Sequence, residues 1–66
     1  MSITWVKLPL SWKMLSENGT GYVCDHGAGR VSWDIVTRSG EILMGWESTL
    51  ERAKAALIKA AHPEEA

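Results

Sequence analysis

"RVSWDIVTRSGEILMGWE" (residues 30–47) carries two alternating runs around one turn. In an extended chain Val31, Trp33 and Ile35 fall on one side of the first run, and Ile42, Met44 and Trp46 on one side of the second. Ser39-Gly40 suits a two-residue hairpin loop between them. That loop sets Arg38 opposite Glu41, Ile35 opposite Met44 and Trp33 opposite Trp46. Facing residues of a hairpin share a side, so the bulky residues gather on one face and opposite charges meet beside the turn. Two antiparallel strands follow, over 30–38 and 41–47.

Upstream, the same logic extends the sheet. A four-residue loop His26-Gly27-Ala28-Gly29 sets Asp25 opposite Arg30, Cys24 opposite Val31 and Tyr22 opposite Trp33. A three-residue loop Glu17-Asn18-Gly19, with Gly19 at positive φ, sets Met14 opposite Tyr22 and Trp12 opposite Cys24. Two further strands are expected, over 10–15 and 20–25. Pro9 ends or bends the first of them, and "ITWVKL" (3–8) either extends that edge or lies across the sheet. Downstream, "STLERAKAALIKAA" (48–61) opens with Ser48 as N-cap and Glu51 three residues on, a capping-box spacing. Leu50, Ala53, Leu57, Ala60 and Ala61 then form one apolar stripe with Ile58 at its margin. Pro63 stops the helix, and 62–66 read as a frayed tail. The expected fold is α+β: a four-stranded antiparallel meander with one C-terminal helix packed on one face, a single domain over 1–66. Its expected core is Trp12, Met14, Tyr22, Cys24, Val31, Trp33, Ile35, Ile42, Met44 and Trp46.

Composition narrows the function classes. With 66 residues the chain has room for one core, and four Trp with no Phe supply much of its bulk. One cysteine excludes an intramolecular disulfide and fits a reducing cytoplasm. The first twelve residues do not read as a signal peptide, because Lys7 and Pro9 interrupt their apolar run. No stretch approaches the roughly 18 apolar residues of a membrane span. Net charge is −1, from seven basic and eight acidic side chains, which announces no polyanion binder.

"YVCDHGAGRVSW" (22–33) concentrates the side chains most open to a chemical reading. Cys24, placed inward, behaves as a small hydrophobe, and the neighbouring Asp25 opposes thiolate formation. Cys24, His26 and His62 lack the spacing of a zinc site. Gly27-Ala28-Gly29 is followed by a strand rather than a helix N-terminus, so it reads as a turn and not a phosphate loop. Asp34 and Glu47 as a glycosidase pair would need a deep cleft that so small a sheet does not offer. No catalytic, cofactor-binding or metal-binding residue is expected.

The remaining sheet face is expected to carry the function. In this register it displays Lys13, Leu15, Val23, Asp25, Ser32, Asp34, Val36, Arg38, Glu41, Leu43 and Glu47. Val36 and Leu43 make an apolar centre, and Asp25, Asp34, Glu41 and Glu47 an acidic rim, the anatomy of a protein interface. A bacterial protein or nucleoprotein complex with a basic surface, one that binds nucleic acid, is the expected partner. A homodimer through the same face is the other ordinary use of it. The alternative is a small DNA-binding accessory protein of a phage or mobile element, which the net acidic face disfavours.

The stretch "RVSWDIVTRSGEILMGWESTLERAKAAL" (30–57), with its strand, turn, strand and S-T-L-E-x-A helix, resembles the layout of small phage-encoded proteins. Among these are inhibitors of bacterial CRISPR defence, the anti-CRISPR proteins. The resemblance implies a non-enzymatic inhibitor, cytoplasmic in a bacterial host, that occupies a nucleic-acid or subunit-docking surface such as that of a CRISPR effector subunit. It assigns no individual residue.

Overall fold

A computed structural model describes residues 2–63. Five strands follow one another, each hydrogen-bonded to the next in an antiparallel sheet of order β1-β2-β3-β4-β5. They are β1 (Ile3–Lys7), β2 (Ser11–Ser16), β3 (Gly19–Asp25), β4 (Val31–Thr37) and β5 (Ile42–Glu47), and a single helix, α1 (Leu50–Ala61), follows. The fold is α+β with a C-terminal helix, as expected, but the strands number five rather than four. "ITWVK" is the fifth: it extends the sheet edge, with Trp5 opposite Met14. Pro9 sits in the turn beyond it, where the Leu8 N–H donates to the Ser11 carbonyl at 2.9 Å and no ladder bond is asked of the proline.

All three expected registers are displaced by one residue, because all three loops differ in length from expectation. Ser16 faces Gly19, so the β2–β3 loop is Glu17-Asn18 alone. Asp25 faces Val31, so the β3–β4 loop runs from His26 to Arg30, closed by the His26 N–H on the Arg30 carbonyl at 2.8 Å. In the last hairpin the Thr37 N–H donates to the Glu41 carbonyl at 2.8 Å around Arg38-Ser39-Gly40. Gly40 takes φ 93° there, the left-handed position that ends a three-residue hairpin loop.

A one-residue slip turns a strand over. β2 and β4 keep the expected orientation, and Trp12, Met14, Val31, Trp33 and Ile35 face the helix. β3 and β5 are inverted relative to expectation. Tyr22, Cys24, Ile42, Met44 and Trp46 leave the core for the open side, while Val23 and Leu43 enter it.

Two glycines show why this register wins. A Cβ on Gly21 would lie 2.7 Å from Leu57 Cδ1 and 2.8 Å from the Asp34 carbonyl oxygen. A Cβ on Gly45 would lie 2.8 Å from three atoms of the Trp33 indole. Each glycine leaves the space that a large side chain fills: Leu57 of the helix above β3, and the Trp33 ring laid across β5. In the expected register both glycines would face solvent, and the two large groups would meet side chains instead.

The core comprises Met14, Val23, Val31 and Ile35 from the sheet and Ala53, Leu57 and Ala61 from the helix. These three helical residues are spaced four apart, one stripe of the helix surface. α1 lies over β3, β4 and β5. The β1–β2 side is covered by Trp5 and Trp12, half-buried against the core. The Lys54 ammonium caps them, 3.9 Å from the Trp12 ring centroid and 5.0 Å from that of Trp5.

Both helix ends are tied down, though not by the expected groups. Thr49, not Ser48, is the N-cap: its hydroxyl accepts from the Arg52 N–H at 3.1 Å. At the other end His62 is buried rather than frayed. The Asn18 side-chain amide donates to the Ala61 carbonyl at 2.9 Å and to His62 Nδ1 at 3.1 Å, which joins the β2–β3 turn to the helix C-terminus. The end of the expected tail, 64–66, lies outside the described residues. Asn18→Ala removes both bonds at a part-buried site and is expected to destabilise the domain by about 2 kcal/mol, read by urea denaturation.

Candidate interaction face

The side of the sheet away from the helix is built from alternate residues of all five strands. Three rows cross it. Thr4, Leu15, Thr20, Val36 and Ile42 form the first, and Val6, Lys13, Tyr22, Asp34 and Met44 the second. Ser11, Cys24, Ser32 and Trp46 form the third. Among the described residues no element packs on these rows, and their large apolar members stay in contact with water. Met44 is 72% exposed, Ile42 62%, Trp46 58% and Val36 52%. Val6, Leu15 and Tyr22 are exposed to lesser degrees.

Charge on this face is sparse and balanced. Lys13 and Asp34 flank Tyr22 on its two sides. The Lys13 ammonium leans over the phenol ring, 5.8 Å from its centroid. Asp34 has Tyr22 and Met44 as cross-strand neighbours, neither of them a cation. A shallow groove of about 380 Å³ is lined by Tyr22, Cys24, Ser32, Asp34, Met44 and Trp46.

Trp46 is braced from the β3–β4 loop. The His26 ring centroid lies 5.2 Å from that of Trp46, and the Arg30 guanidinium stands 5.2 Å above the same ring. His26 Nε2 also meets Ser32 Oγ at 2.8 Å. That distance is within the reach of a nucleophile–base pair, and the same contact ties the His26 ring, beside Trp46, to β4. Asp25 is turned to the Gly27 N–H at 2.8 Å rather than to the imidazole. The backbone around Ser32 is paired on both sides, to Cys24 and to Trp46, in the sheet ladder. Cys24 is half-buried on the open side, with its thiol 3.6 Å from the Leu10 carbonyl oxygen.

The six residues expected to bind a partner do not form one surface. Asp34 and Val36 do lie on the open face, two residues apart on β4. Leu43 points the other way and packs half-buried against the core. Asp25 and Glu47 flank Val31, a core residue, and so share the helix side of the sheet. Glu41 is exposed beside the last turn, where its N–H is bonded to Thr37 Oγ1 at 3.0 Å. Asp34 and Glu47 are thus on opposite sides of the sheet, and the acidic rim is withdrawn with the register that produced it. Ile42, Met44, Trp46 and Tyr22 take its place. The signal that points to them is the position of Gly21 and Gly45, one residue out of phase with the bulky set.

Cys24 and His26 stand at the far end of β3 from Asn18, where His62 is bound, so these three cannot share an ion. Among the described residues no group of three or more His, Cys, Asp or Glu could hold a metal. No described helix is long and apolar enough to cross a membrane. Compared with protein-family models, curated proteins and solved structures, the chain matches no family, no curated protein and no solved structure.

Proposed function

We propose that the protein is a non-catalytic protein-binding module that docks through the open face of its sheet. The observation that carries this reading is the run of Val36, Ile42, Met44 and Trp46, each more than half exposed on adjacent positions of β4 and β5. Single exposed hydrophobes are ordinary, but a contiguous group on one flat face marks an interaction surface. Trp and Met are also residue types enriched at interface centres.

The chemistry of the partner follows from the same face. Asp34 and Lys13 offset each other, so a basic, nucleic-acid-binding surface finds no complementary field here. The partner surface is apolar at its centre. An inhibitor that occupies a working surface of a bacterial protein complex, as the resemblance of layout implies, is the narrower form of this reading, with an apolar contact replacing an acidic one. Direct DNA binding through the sheet would rely on two cations, Lys13 in the rows and Arg30 above Trp46, beside the carboxylate of Asp34. A gel shift at low salt is expected to show no complex with duplex DNA.

Met44→Lys places a charge at the centre of the apolar group while disturbing no core contact. Its melting temperature is expected to stay within about 3 °C of the parent, because exposed substitutions cost little. A partner retained by the immobilised parent from a bacterial lysate is expected to be lost at least tenfold by Met44→Lys, a loss of about 1.4 kcal/mol or more. Equal retention of the same proteins by both forms would remove the open face as the docking surface.

A further inference from the structure

We infer that the occupant of the open face is a second copy of this chain, related by a twofold axis that lies in the interface and runs along β3. The inference rests on the open face being a docking surface and adds what docks there.

Self-complementarity carries it. An axis along the central strand exchanges β2 with β4 and β1 with β5. Lys13 then faces Asp34 of the partner subunit, and Asp34 faces the partner's Lys13, so both charges on the second row are satisfied. Tyr22 lies on the axis between the two pairs. Leu15 meets the partner's Val36. Bulky Ile42 and Met44 come over Thr4 of the partner subunit and Val6 of the partner subunit, two smaller side chains at the corresponding positions of β1. Large against small is how facing layers interdigitate. A twofold axis across the strands would instead stack Lys13 on its own copy and Asp34 on its own copy. Charge therefore selects one orientation of the symmetry axis.

The size of the face agrees. Five strands spaced about 4.8 Å apart and six residues of about 3.3 Å rise give a flat footprint of roughly 500 Å². Corrugated side chains raise the accessible area toward the ~800 Å² per partner of a standard interface. Two twisted sheets stack face to face about 10 Å apart, as in a β-sandwich, and an axis inclined by about 15° to β3 gives their strands the usual rotation of about 30°. The pair then has an interior between the sheets that a 66-residue chain lacks alone.

Sedimentation equilibrium on the full chain, with circular dichroism as the control for folding, tests the proposal. The parent is expected to dimerise. Asp34→Lys and Lys13→Glu should each weaken the dimer about tenfold or more, since each sets two like-charged pairs across the axis. The double variant Lys13→Glu/Asp34→Lys restores opposite charges and should recover the dimer to within a few-fold of the parent. A parent that stays monomeric up to about 1 mM overturns the second copy, while the docking reading still answers to partner retention. A dimer indifferent to Met44→Lys forms through another surface and likewise overturns the second copy on this face. A dimer lost in Met44→Lys but not recovered in the double variant overturns the axis.

Discussion

Gly21→Val is expected to leave the chain unfolded at room temperature. Gly21 is buried in β3 beneath the helix. Its absent Cβ would already stand 2.7 Å from one methyl of Leu57, 3.0 Å from the other, and 2.8 Å from the carbonyl oxygen of Asp34. Leu57 is fully buried, so it has no empty volume to retreat into, and the Asp34 carbonyl belongs to the adjacent strand. Valine adds two further methyls at the same point. The helix must lift away from β3, and Ala53 and Ala61 lift with it. Overpacking alone costs about 1–3 kcal/mol, and loss of helix docking adds more. A domain of this length is held together by only about 3–10 kcal/mol. Far-ultraviolet circular dichroism with a thermal scan reads the result; a variant that melts near the parent temperature would mean that the helix does not seat on β3 as described.

Leu57→Ala is the mirror of that change and is expected to cost about 3–4 kcal/mol. Leu57 is 0% exposed and is among the largest side chains at the helix–sheet interface. Truncation of such a residue to alanine costs about 2–5 kcal/mol, most where the site cannot collapse. Here the facing residue is a glycine in a hydrogen-bonded strand, which has no side chain to fill the void. The melting temperature is expected to fall by about 12 °C or more, given about 4–8 °C per kcal/mol for a small domain. In a Gly21→Ala background the same truncation should cost less, because the added Cβ occupies part of the cavity. A coupling energy of about 1 kcal/mol or more between the two positions is expected from a double-mutant cycle. Strict additivity would show that Leu57 and Gly21 do not touch.

These two residues also explain how far the sequence could be read. Hydrophobic alternation identified the strands now called β2 to β5, and the stripe at Ala53, Leu57 and Ala61 identified the helix and its buried side. Alternation states which residues share a face; it does not state which face is inside. In β5 both sets are apolar, Ile42, Met44 and Trp46 against Leu43 and Gly45, and bulk favours the wrong one. The same holds in β3 for Tyr22 and Cys24 against Gly21 and Val23. What decides is contact with residues distant in sequence, Leu57 with Gly21 and Trp33 with Gly45. Loop lengths could have given the parity. Yet each turn region, 17–19, 26–30 and 38–41, accommodates loops that differ by one residue, and one residue suffices to invert a strand. The candidate site inherits this. Asp34 and Val36 belong to β4, whose orientation was legible. Leu43, Glu47 and Asp25 belong to the two inverted strands and fall on the helix side.

The placement of the indoles has an optical consequence. Trp5, Trp12 and Trp33 are half-buried on the helix side, whereas Trp46 alone stands among the open rows, beside the His26 ring and the Arg30 guanidinium. The fluorescence of the chain is therefore a sum of two populations that a soluble quencher separates. Acrylamide reaches Trp46 first, and whatever settles over that face shields it and shifts its emission to the blue, while the other three indoles report whether the domain is intact. A single cuvette, without labels, distinguishes occupancy from unfolding.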